Sequence, residues 1–109
     1  MKIIIAGAGE VGTHLAKMLT LENHDITVID IEPDQIKNIE LFIDIRTIEA
    51  SAISLSGLIE AGVAGADLLI AVTHFQEMNI SSAILAKKLG AKKTIARIID
   101  SEYIKIHNV

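Results

Sequence analysis

The sequence contains no cysteine and no tryptophan, a single proline, and aromatic residues at only 3% of its 109 positions. Without cysteine there is no disulfide framework, thiol nucleophile or thiolate metal cluster, and the four histidines (His14, His24, His74, His107) are scattered. The three aromatics, Phe42, Phe75 and Tyr103, are too few to build base-stacking platforms. Ten basic residues against fourteen acidic ones leave a net charge of -4, without the basic excess that would neutralise a phosphate backbone, so no nucleic-acid partner is expected. Long hydrophobic runs are missing too. The first apolar run spans four residues, Ile3 to Ala6, before glycine interrupts it, too short for a signal-peptide core or a membrane span. A cytosolic chain with no direct membrane insertion is the simplest expectation. No Pro/Gly/Ser-rich linker, charge block or low-complexity tract divides the sequence, so residues 1–109 are read as one domain.

Half of the residues are hydrophobic, and Ile, Leu, Ala and Val supply most of them. Short β-branched runs at Lys2 to Ala6, Ile26 to Ile29, Ile45 to Ile48, Leu68 to Val72 and Thr94 to Ile98 read as strands covered on both faces, as in a parallel sheet. Each gap between them carries apolar residues at helical spacing: Val11, Leu15, Met18 and Leu19; Ile36, Ile39 and Ile43; Leu55, Leu58 and Ile59; Ile80, Ile84 and Leu89. Pro33 suits the first turn of the second helix, where its missing N–H has no helical partner, and Gly62 and Gly90 stand where the third and fourth helices must stop. Five alternating β–α units with right-handed crossovers predict an α/β fold, a doubly wound (Rossmann-like) parallel sheet of strand order 3-2-1-4-5 with helices on both faces. Residues 101–109 leave room for a short helix but not a sixth strand, so the domain is either short or the N-terminal part of a longer chain.

Gly7-Ala8-Gly9-Glu10-Val11-Gly12 follows the first strand and opens the first helix, the context in which a GxGxxG turn holds a dinucleotide. Gly7 permits the tight turn, Gly9 lets a pyrophosphate approach the backbone, and Gly12 lets the helix lie close to the strand. A glycine-rich turn without a ligand is the plain alternative. Asp30 ends the second strand eighteen positions after Gly12, near the spacing of about 20 at which a carboxylate accepts the adenosine ribose hydroxyls. A carboxylate there repels a 2′-phosphate, and the nearest cation, Lys37, is on the second helix, so NAD(H) is favoured over NADP(H). Asp30 could equally cap the helix that begins at Pro33.

Glu10 puts a carboxylate where the extra phosphate of a nucleoside triphosphate would call for a cation, which disfavours a triphosphate, so ATP or ADP is less expected than NAD(H); its other reading is a first-turn acid that suits the helix dipole. Thr73 follows the fourth strand at the carboxyl edge of the sheet, where ligands of such folds collect, with Glu77 and Asn79 opening the next helix. Thr73 reads equally as a contact or as a cap. Arg97, near the end of the fifth strand, calls for an anionic partner, either a structural carboxylate or a ligand phosphate. Catalytic equipment is hard to find: Tyr103, Lys105 and His107 do not make Tyr-x-x-x-Lys, the histidines lack an acid partner and read as surface or cap residues, and neither GxSxG nor HExxH occurs. The chain reads as a binding module, not an enzyme. The competing readings are the cofactor half of an NAD-dependent oxidoreductase and a structural interaction domain without a ligand.

Four segments, MKIIIAGAGEVGTHLAKML, DITVIDIEPDQI, LIEAGVAGADLLIAVT and NISSAILAKKLGAKKTIARIIDSEY, resemble in order and spacing the TrkA N-terminal domain class, also called RCK or KTN. The resemblance runs from Met1 to about Tyr103. It implies a regulatory domain that binds NAD(H), or ATP in some relatives, and assembles as a dimer or higher homo-oligomer beneath a Trk-type membrane potassium transporter, at the inner face of the membrane. It places the nucleotide against Gly7, Ala8, Gly9, Glu10, Val11 and Gly12 of the turn and Asp30 and Ile31 after the second strand. Ser51 and Ala52, then Thr73, Glu77, Asn79 and Arg97, complete the implied set. Where many relatives read Gly-Asp-Ala-Thr, this sequence has Ala50-Ser51-Ala52-Ile53, so adenine contacts there fall to the backbone or Ser51. The loop Thr73-His74-Phe75-Gln76-Glu77-Met78-Asn79 replaces a more acidic one, and Glu10 stands where ATP-binding relatives often carry arginine.

Overall fold

A computed structural model describes residues 1–100; the expected helix in 101–109, with Tyr103, Lys105 and His107, lies outside the described residues. Five strands, β1 (Lys2–Ala6), β2 (Asp25–Asp30), β3 (Arg46–Glu49), β4 (Leu68–Ala71) and β5 (Lys93–Ala96), form one parallel sheet in the order β3-β2-β1-β4-β5. The connecting helices are α1 (Glu10–Leu21), α2 (Pro33–Phe42), α3 (Leu55–Glu60) and α4 (Gln76–Leu89). Pro33 takes the first turn of α2 as expected, and α3 and α4 end just before Gly62 and Gly90.

Strand alternation splits the core into two layers. Ile3 and Ile5 of β1, with Ile26 and Val28 of β2, face Ala16 of α1 and Ile39 of α2. Ile4 and Ala6, with Ile29 and Leu69, face Leu58 of α3 and Ala86 of α4. A side-chain period of two assigns the layers, and the right-handed crossovers put α1 and α2 on one face and α3 and α4 on the other. The chain turns from building leftward to building rightward at β1, so the carboxyl ends of β1 and β4 flank the switch point where open α/β sheets leave a crevice.

Two expectations need correction. Only β1, β2 and β4 are buried on both faces; β3 and β5 are edge strands, and Ile95 of β5 is half exposed. The helix faces also differ from the pattern of large apolar residues. Helix α1 buries Gly12 and Ala16 while Val11 and Met18 are exposed, and α4 buries Asn79, Ser82, Ala83 and Ala86 while Ile84 is exposed. In α3, Gly57 and Leu58 are buried and Leu55 and Ile59 are not. Close helix-on-sheet packing selects the smallest side chains at the point of contact, and larger ones flank it.

Candidate functional site

At the carboxyl edge of β1 the chain must reverse within three residues to enter α1. Gly7 makes that bend at φ +121°, a conformation that side chains strain to adopt, and a Cβ there would press on the backbone of Val72 and Thr73 at 3.0 Å. Gly12 is fixed by space: a Cβ on it would overlap the carbonyl oxygen of Gly7, so helix and strand can approach this closely only through glycine. Gly9 is different. Its backbone is ordinary, and the nearest atom to a Cβ placed on it is Nε2 of His74, at 3.4 Å. Its free side therefore opens on the cleft rather than into packing. The N–H groups of Gly9, Glu10 and Val11 have no acceptor among the described residues, so the start of α1 presents donors and the positive end of its dipole to this space.

Asp30 lies at the tip of β2 and is fastened to this turn. Its Oδ2 accepts the N–H of Ala8 at 2.7 Å and its Oδ1 accepts the N–H of Glu32 at 2.8 Å. The first bond ties the glycine turn to β2, and the second folds the chain toward α2, whose N-cap is Glu32 rather than Asp30. A carboxylate has about four lone-pair positions, so each oxygen keeps capacity for another donor.

Across the cleft the wall is built from side chains. Asn79, fully buried on α4, accepts the Thr73 N–H at 2.8 Å and the Thr73 hydroxyl at 2.6 Å. Its amide donates to the carbonyl oxygens of Thr73 at 3.1 Å and Arg97 at 3.0 Å. One amide thus ties the end of β4, the start of α4 and the end of β5 together. The Thr73 hydroxyl also accepts the N–H of Phe75, which shapes the turn before α4 without capping it: the N-cap is Phe75.

The cleft brings together Gly7, Gly9, Glu10, Val11, Asp30, Ile31, Ser51, Ala52, Thr73 and Arg97. Four candidates stand elsewhere. Ala8 is buried and its N–H is taken by Asp30, and Gly12 is buried in the helix–strand contact. Asn79 has its hydrogen-bonding groups engaged inside the protein, so it positions the wall and is not a surface for ligand. Glu77 is exposed outside the cleft. Arg97 is half buried, and its guanidinium has no ion-pair or hydrogen-bond partner among the described residues. Sequence reasoning missed His74, Phe75 and Met78, which also line the cleft. The only available signal was their place just after a strand at the carboxyl edge.

This arrangement defines the class: a Rossmann-type nucleotide-fold domain, with a glycine turn, a strand-end carboxylate and an arginine around one crevice at the switch point. Residues 3–109 match the TrkA-N domain, and the chain belongs to that family. It is 41% identical over 104 residues to the Trk system potassium uptake protein TrkA homolog of Archaeoglobus fulgidus, covering 95% of this chain and 23% of that one. To the Trk system potassium uptake protein TrkA of Haemophilus influenzae it is 43% identical over 106 residues, covering 96% and 23%. The chain therefore spans about a quarter of the length of these relatives. Among solved structures, the Kef CTD of Shewanella denitrificans in its AMP-bound form superimposes with a TM-score of 0.79 at 24% identity, covering 98% of this chain and 67% of that one. The TrkA-N domain of the inner membrane protein ybaL of Escherichia coli gives 0.62 at 13%, covering 98% and 93%. At these identities the likeness is one of fold. Among the described residues no helix is long and apolar enough to cross a membrane.

Proposed function

We propose that this chain is the NAD(H)-sensing regulatory domain of a potassium-uptake system, and not an enzyme. The observation that carries the reading is Asp30 bonded to the glycine turn, with open acceptor positions beside helix N–H groups that have no acceptor among the described residues, in the same cleft. That is a donor set for a diphosphate next to an acceptor set for a ribose diol. Arg97 supplies a cation that has no partner among the described residues, and Gly9 leaves the backbone open to close approach. Glu10 and Glu32 add negative charge along the rim, which favours a dinucleotide over the more highly charged ATP and over NADPH.

The potassium system enters through the relatives, which are named for Trk potassium uptake. In this reading the domain is the N-terminal part of a longer regulator. It self-associates at the cytoplasmic face of the membrane beneath a Trk-type transporter subunit, and the nucleotide acts by binding one assembly state more tightly than another. Only that difference in affinity moves the equilibrium; equal binding to both states shifts nothing.

A thermal-shift panel with NADH, NAD⁺, NADPH, ATP and ADP tests the ligand. NADH or NAD⁺ should raise Tm more than the others, with a stabilisation of about 2.7 kcal/mol at a hundredfold excess over Kd. A panel in which no nucleotide moves Tm would refute the sensor reading and leave a structural interaction domain.

A further inference from the structure

We infer that His74 is a ligand-binding residue of this cleft, its imidazolium donating from Nε2 to the nucleotide diphosphate, so that binding takes up a proton. The inference rests on the nucleotide reading of the cleft given above. Its Nε2 stands over the open side of Gly9, 3.4 Å from where a Cβ would lie, which is the side by which a phosphate reaches the turn. His74 is exposed on the four-residue segment between β4 and α4, so the ring is free to rotate toward a ligand. No hydrogen bond or ion pair among the described residues engages its ring.

The surrounding charges couple the proton to the ligand. His74 lies two residues before Gln76, the first residue of α4, where the positive end of the helix dipole opposes an imidazolium. Arg97, in the same cleft, opposes it as well. Glu10 from α1 and Asp30 and Glu32 from the end of β2 favour it, Glu77 opens α4 on the exposed side, and His14 and Lys17 of α1 share the adjoining groove at Gly9. A diphosphate brings two negative charges to this position and tips the balance toward the protonated ring, with a charge-assisted hydrogen bond as the result. Ligand binding thus raises the affinity of His74 for a proton. The extra nucleotide affinity is present below the imidazole titration range and is lost as pH rises through it.

The test is a titration of the 109-residue chain with NADH, whose diphosphate stays ionised throughout. The wild type should bind about fivefold more tightly near pH 6 than near pH 8. Calorimetry in two buffers of different ionisation enthalpy should report net proton uptake. His74→Ala should lose the pH dependence and abolish the uptake, while His14→Ala keeps both. Equal affinity at the two pH values in the wild type, or a pH dependence that survives His74→Ala, would overturn the assignment. Absence of NADH binding by the wild type at either pH would instead refute the nucleotide reading on which it rests.

Discussion

The two walls of the cleft are made by different means. The wall of β1, α1 and β2 is a backbone construction: a bend only glycine makes, a helix that only glycine lets approach, and a carboxylate two residues from Glu32 that grips an N–H of the turn. The wall of β4, α4 and β5 is a side-chain construction, hung on one buried amide eighteen residues from the carbonyl it holds at Arg97. The first wall can be read from a short stretch of sequence because its constraints are local. The second depends on which elements become neighbours, and its residues change roles with the partners they meet.

Substitutions should separate the walls by what they cost. Gly12→Ala forces a Cβ into the Gly7 carbonyl and should destabilise the fold by at least about 3 kcal/mol in urea denaturation; a near-neutral result would mean α1 can lift from the sheet. Asn79→Ala strands the Thr73 N–H and the Arg97 carbonyl and should cost about 2–3 kcal/mol. It should also weaken NAD(H) binding without touching ligand. A loss below about 1 kcal/mol would show that water replaces the amide.

Smaller effects fall on binding. Asp30→Ala should weaken NAD(H) by about 1–3 kcal/mol in calorimetry, the range for hydrogen bonds to a charged acceptor; unchanged affinity would place the ribose elsewhere. Gly9→Val should block the nucleotide yet leave the urea midpoint nearly unchanged, because a Cβ at Gly9 meets only a movable imidazole. The smallest effect lies at the opposite edge of the sheet. There the Lys2 N–H, at 2.8 Å, and the ammonium of Lys92, at 3.2 Å, hold the Asp67 carboxyl below its ordinary pKa. A depressed folded pKa gives stability that is present above the unfolded value of about 3.9 and is lost as pH falls through the folded one. Asp67→Asn should therefore flatten the acid limb of the stability curve and leave nucleotide affinity alone; an unchanged acid limb would show that the pair contributes nothing.

Strand order, the four helices, Pro33 and the glycine turn were legible because each follows from local geometry or from the handedness of crossovers. Helix faces were less so. The pattern of large apolar residues pointed to Val11, Met18 and Ile84, whereas the sheet is met by Gly12, Ala16, Ala83 and Ala86. Small residues carry little hydrophobic signal, yet they set how near a helix can lie. In the site, Asp30 was legible from its distance to the turn, but its bond to Ala8 was not. Asn79 looked like a contact and is a brace, while His74, read as a surface residue, is exposed and also stands over Gly9. Both features lie on the second wall, where position depends on tertiary partners.

The central claim is that a dinucleotide lies across both walls. Backbone amide spectra of the labelled chain, recorded as NADH is added, test it residue by residue. Saturable shifts should concentrate at Gly7, Gly9 and Val11, at Asp30 and Ile31, and at Thr73 and His74. Shifts confined to the groove between α4 and β5, or none at millimolar NADH, would contradict it.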